Sequence, residues 1–263
     1  MVHAFVGIDV AFAKGKRLPV VVSCWENHRL KPIPLRKFTD HKPPAGQGNA
    51  ASIAPKTLID FVEAAALYLK AIEQKFRIGI CRIAIDSPSD PKPSKVSRRS
   101  SELELDCRRV SCFATPSEKE FDVIRDKVRD HLARGGSESQ IPHANQLWML
   151  VGFELFKRLR REWECIEVYP QAIVCVLGAG ARHKRHQDGL DAQFKACARY
   201  TGWTDKEDMS CLQDAAFGSK HDRFDAYLAS WVAALNENER EPIGVPPSDA
   251  IWVPKLPLKA GRQ

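Results

Sequence analysis

"RIAIDSPSD", residues 82–90, is the stretch on which the reading of this chain turns. Ile83, Ala84 and Ile85 have the apolar character of a buried strand, and Asp86 follows them directly, with Ser-Pro next. A carboxylate at the mouth of a core is costly unless something compensates its charge. "FVGIDVA", residues 5–11, repeats the feature, because Asp9 interrupts an apolar strand between Ile8 and Val10.

Outward from these two strands the chain alternates between sheet and helix. Residues 4–10 and 18–25 are β-rich runs on either side of a turn at Gly15, and they should pair as neighbours. Residues 31–54 are rich in proline and glycine and read as loop, with a short strand around residues 35–38. Pro55 opens a helix predicted to reach Lys75, with Leu58, Val62, Ala65, Leu69 and Ile72 at helical spacing. A helix placed between two strands is the crossover of a parallel pair.

After Asp86 the texture changes. Residues 87–101 form a proline-, serine- and base-rich loop, and "ELELDCRR" is a short helix. Ser117 with Glu120 is a capping box opening a helix that Gly135-Gly136 ends, and "ANQLWMLVGFELFKRLRREW" is a long amphipathic helix. "CIEVYP" is another strand. Helices follow at about 171–177, 188–200, 205–215 and 219–237, then an extended tail from about residue 240. The expected architecture is a single α/β domain over residues 1–263. It has a mixed sheet of about five strands, helices on both faces, and a helical insertion at about 87–164.

Composition narrows the class. The chain has 263 residues, 44% hydrophobic and 28% charged, which is ordinary for a soluble globular protein. A net charge of +7 suits a polyanionic partner and is also compatible with a plain enzyme. The eight cysteines contain no C-x-x-C pair, which argues against a zinc site and a disulfide framework. With no long apolar run at the N-terminus, the expectation is a reduced, cytoplasmic protein without membrane association.

The acids carry the chemistry. In "HDRFDAYLASWVAAL", residues 221–235, Asp225, Ala229 and Val232 share one helical face, and Asp222 lies a turn earlier on it. Carboxylates gathered around a core repel one another. A bound divalent cation removes that cost, and oxygen-only ligands favour Mg²⁺ or Mn²⁺. Two such ions can activate a water and stabilise the leaving oxygen of a phosphodiester. Asp9, Asp86, Asp222 and Asp225 are therefore the candidate metal ligands and catalytic acids, with Glu167 of "IEVYP" as a further catalytic acid. Three of them also have a structural use: Asp86 as a turn residue, Asp222 as a first-turn helix acid, Glu167 as a partner for Arg182 or Lys184, whereas a mid-strand Asp9 has little.

Taken in order, "VGIDVA", "IAIDSP", "IEVYP" and "HDRFDAYLASWVAAL" resemble the domain-of-unknown-function family 429, over about residues 4–237. That family is read as nucleases of RNase H-like fold, and the paired acids on the last helix resemble those of RuvC-type junction resolvases. The resemblance implies nucleic acid as partner and Mg²⁺ or Mn²⁺ as cofactor. "RSSELELDCRRV" is similar to the family's Arg-acid-Arg segment, carried by Arg99, Glu102 and Arg108. Arg99, Arg108 and Lys184 are then expected to hold substrate phosphates. Two alternatives stay open: a sugar-kinase or ATPase-like enzyme on the same core, and a non-catalytic nucleic-acid-binding module. "VGIDVAFAKGK" has few of the glycines that a phosphate-cradling loop needs.

Overall fold

A computed structural model describes residues 1–37, 41–180, 186–202 and 211–257. Its centre is a seven-stranded sheet made of β1 (Val2–Asp9), β2 (Val20–Glu26), β3 (Arg29–Pro32), β4 (Ile78–Asp86), β5 (Glu164–Val168), β6 (Arg240–Val245) and β7 (Asp249–Pro254), in the order β3-β2-β1-β4-β5-β7-β6. The chain is mixed α/β, as expected. β1, β4, β5 and β7 run parallel, while β2 lies antiparallel to β1 and β3, and β6 lies antiparallel to β7.

Two strand assignments need correction. The third strand is Arg29–Pro32, and Leu35–Lys37 is a 3-10 turn. Asn27 and His28 both have positive φ, 47° and 62°, which is the backbone a tight two-residue hairpin demands, so β2 turns back at once. The tail is a hairpin: β6 and β7 add two strands beyond the five anticipated, with β7 beside β5. Pro242 disguised β6, yet proline is tolerated there because β6 is the edge of the sheet.

Helices cover both faces. They are α1 (Pro55–Phe76), α2 (Ser100–Cys107), α3 (Glu118–Ala133), α4 (Ala144–Leu159), α5 (Pro170–Val176), α6 (Gln187–Thr201), α7 (Cys211–Ala215) and α8 (Lys220–Ala234). The insertion is helical as expected, holding α2, α3 and α4 between β4 and β5. Ser117 and Glu120 form the capping box of α3 in both directions.

Alternation along each strand sorts the core. Val6, Ile8, Ile83 and Ile85 pack with α1 and α4, whereas Ala84, Ile166 and Val168 belong with α8 on the opposite face. Every residue of α8 from Phe224 to Ala234 is buried, the signature of a helix enclosed on all sides. Two of its buried hydroxyls are satisfied inside: Tyr227 donates to the Leu30 carbonyl at 2.9 Å, and the Ser23 and Ser230 hydroxyls meet at 2.9 Å.

Gly7 sets how close α8 comes to β1. A Cβ there would lie 1.9 Å from the Ala226 carbonyl oxygen and 2.3 Å from the Ser230 nitrogen, so only glycine allows the contact. Gly152 does the same for α4, since a Cβ would fall 1.7 Å from the Ser87 Oγ, one residue beyond Asp86. Two helices thus close on the ends of β1 and β4 from opposite faces.

Candidate active site

Asp9 ends β1 rather than interrupting it, and its register partner is Asp86, the last residue of β4. Both are two residues beyond a position that faces α8, Gly7 in β1 and Ala84 in β4. The two carboxylates therefore project from the same face of the sheet, on strands ~4.8 Å apart.

Asp225 joins them from the helix. Ala229 of α8 lies against Gly7, and at the other end of the helix Arg82 of β4 donates to the Ala233 and Leu235 carbonyls. So α8 runs antiparallel to β1. Stepping back one turn from Ala229 to Asp225 covers ~6 Å, and stepping on from Gly7 to Asp9 covers ~6.6 Å in the same direction. Asp225 is 5% exposed and stands over the end of β1.

Tyr169 follows β5 and closes the third side. Its hydroxyl donates to the Ser111 carbonyl at 2.8 Å. Burial first, and then the negative charges of Asp86 and Asp225 among others, push that hydroxyl above its ordinary range. The tyrosine is thus near both acids. A cavity of about 60 Å³ opens beside it, with Asp86, Phe113, Thr115 and Trp148 in its wall. Sequence reasoning missed Tyr169. Its position directly after a parallel strand, as Asp86 ends its own, was the available signal.

The other expected residues have different surroundings. Asp222 is the N3 residue of α8's capping box: its Oδ2 accepts from the Ser219 backbone at 2.7 Å. Its first-turn structural use is realised. His221, beside it, has a buried Nδ1 without a hydrogen-bond partner.

Glu167 lines the same cavity as Asp86 and is engaged by its own partners. It is in register with Ile85, and its neighbours Ile166 and Val168 belong with α8, so its side chain leaves the opposite face of the strand. There it is held by Arg99 through two bonds of 2.8 Å, and its Oε2 also accepts from the Ser89 backbone at 2.9 Å. The partner is Arg99, not Arg182 or Lys184. Arg99 is itself 4% exposed and reaches Asp249 at 3.1 Å. Burial opposes the guanidinium's charge, but Glu167, Asp249 and Glu102 more than offset it and hold the pKa above the usual value.

Arg99 is consequently a buried cation held by two carboxylates, and it lines the same cavity as Asp86. Asp249, which sequence reasoning passed over, completes that cluster and caps α2 by accepting from the Ser100 backbone at 2.6 Å and the Ser101 hydroxyl at 2.5 Å. Arg108 is exposed and pairs with Glu104 at 2.6 Å and Glu241 at 3.7 Å. Lys184 lies outside the described residues.

Among the described residues, no three His, Cys, Asp or Glu side chains converge as a complete set of metal ligands. Nor, among those residues, is any helix long and apolar enough to cross a membrane.

The family profile described as "Protein of unknown function (DUF429)" matches residues 7–249, from Gly7 under α8 to Asp249 in the Arg99 cluster. The chain belongs to the DUF429 family. No curated protein and no solved structure matches it. The DUF429 match spans every residue of the carboxylate site and of the Arg99–Glu167–Asp249 cluster. It attaches no reaction to either.

Proposed function

We propose that this protein hydrolyses nucleic-acid phosphodiester bonds with the help of Mg²⁺ or Mn²⁺. One observation carries the reading: Asp9 and Asp86 are register partners on the α8 face of the sheet, with Asp225 descending over them. Two carboxylates at the C-terminal ends of parallel strands, with a third on the helix packed over them, are hard to explain as core structure.

The donor set fits a hard cation only in a particular way. Mg²⁺ is commonly bound by one or two carboxylates, with waters and substrate phosphate completing an octahedron. Two adjacent carboxylates without a third converging ligand suit such a substrate-completed site better than a closed protein cage. Asp9 and Asp86 would hold the ion, which when bound would supply water activation and charge neutralisation at the phosphate.

The chain's own residues do the rest. Asp225, buried on a rigid helix, is placed to accept a hydrogen bond from a water lying between the helix and the strand ends. Tyr169 and α8 wall the site against bulk solvent, which strengthens each electrostatic contact inside it. Gly7 keeps α8 close to β1, and Gly152 keeps α4 close to Ser87 beside Asp86.

The test is crystallographic. Crystals grown with Mn²⁺ and a non-hydrolysable phosphorothioate oligonucleotide should show anomalous density at Asp9 and Asp86, and crystals with Mn²⁺ alone weaker density. Strong density elsewhere, with none at these two acids, contradicts the reading.

A further inference from the structure

Beyond the wall of the Asp86 cavity lies a second space of about 460 Å³, and Thr115 lines both. This volume is in the range of built ligand sites, ~300–1,000 Å³. One side is α3, which presents Lys119, Val123 and Lys127 at i, i+4 and i+8, so that they form one stripe. All three are exposed.

The charges of α3 are sorted by face. Away from the groove its arginines are paired, Arg125 with Asp122 at 2.9 Å and with Glu118 at 3.6 Å, and Arg129 with Asp126 at 2.7 Å. Inside the groove Lys92 is neutralised by Glu120 at 2.8 Å. Lys119 and Lys127 have no acidic partner among the described residues. Cations left over on a concave surface, on a helix whose other cations are paired, mark the groove for a polyanion.

The aromatic component stands two residues from Thr115. Phe113 is 57% exposed at the rim of the Asp86 cavity, an unusual position for a large apolar ring. Thr115 itself is wholly buried, its backbone N–H donates to Glu102 at 2.7 Å, and its hydroxyl, in the wall between the two spaces, has no hydrogen-bond partner. An exposed ring at one end of a groove lined by unpaired lysines is how proteins hold single strands, whose bases are free to stack. A duplex hides those faces.

We propose that this groove holds a single-stranded nucleic-acid segment, with Lys119 and Lys127 on its phosphates and Phe113 under a base, and directs the backbone toward Asp86. The proposal rests on the hydrolytic reading for its direction, but not for its binding chemistry.

The test is binding of labelled single-stranded oligonucleotides in EDTA, followed across a salt series. Lys119→Gln/Lys127→Gln should flatten the log–log salt slope by about 1.4, at ~0.7 per phosphate contact on a single strand. Phe113→Ala should weaken binding about tenfold at fixed salt. Arg125→Gln/Arg129→Gln, an equal charge change on the other side of α3, should leave the slope unchanged. A wild-type slope in the lysine double variant overturns the groove, as does failure of the native protein to bind single strands. Cleavage separates the two readings. Binding through the groove without Mg²⁺-dependent cleavage removes the nuclease and keeps the groove, and cleavage with an unaltered slope does the reverse.

Discussion

Asp9 and Asp86 face each other across two parallel strands, each the final residue of its own strand. Like charges so placed repel each other, and a cation bound between them would remove that cost. Asp9→Asn should therefore leave the melting temperature without metal at or above that of the native chain. With Mn²⁺ and a phosphorothioate oligonucleotide present, the native protein should gain stability and the variant little, because the gain comes from binding to the folded state. Equal gains in both would remove Asp9 from the site.

The Arg99–Glu167 pair gives the opposite signature. Arg99→Met leaves a buried carboxylate facing an apolar chain and should cost about 3–5 kcal/mol in urea unfolding. Adding Glu167→Leu should restore a large part of that loss. A surface arginine that only held phosphate would cost far less, so a loss below about 1 kcal/mol would contradict the buried-cluster description.

Gly7→Ala tests the seating of α8. The added methyl would meet the Ala226 carbonyl at 1.9 Å, and the helix backbone must shift to admit it. We expect a destabilisation of about 1–3 kcal/mol or more, together with loss of activity, since Asp225 moves with the helix. An unchanged melting temperature would mean that α8 is not held against β1 in solution.

Acid stability should report on Glu120. Its hydrogen bond from Lys92, and then that from the Ser117 backbone, lower its pKa to about 2 from an ordinary 4.5. Because the folded pKa lies below the unfolded one, its contribution is complete above about pH 4.5 and is lost as the pH falls toward 2. Glu120→Gln should flatten the dependence of stability on pH in that window and leave its shape above pH 5 unchanged. An identical acid limb in both proteins would detach the Lys92 contact from stability.

Much of this was legible in the chain. Hydrophobic period placed α1 and α8 to within a few residues, and the acid at the end of "RIAID" marked the mouth of the core. The hairpin at Asn27 and His28 escaped because neither residue is glycine, although both take positive φ. β6 and β7 escaped because prolines broke their alternation. Within the site, Asp9, Asp86 and Asp225 were readable because each stands in an apolar run, where a carboxylate needs a reason. Glu167 stands in such a run too, but its reason is Arg99, 68 positions away along the chain, and no local pattern links them. The lysines of α3 were invisible for the same cause: which of a helix's charges remain unpaired depends on its neighbours in space.

The most direct measurement is single-turnover cleavage by the native protein and by Asp225→Asn, on a panel of single-stranded, double-stranded and branched DNA and RNA. Mg²⁺ or Mn²⁺ and EDTA serve as the two conditions, with binding measured in parallel. We expect cleavage of at least one substrate by the native protein with metal and none in EDTA. Asp225→Asn should lose cleavage while its affinity stays within about threefold, a fraction of a kcal/mol. Metal-dependent cleavage that survives in Asp225→Asn, or binding without cleavage across the whole panel, would contradict a carboxylate-centred nuclease.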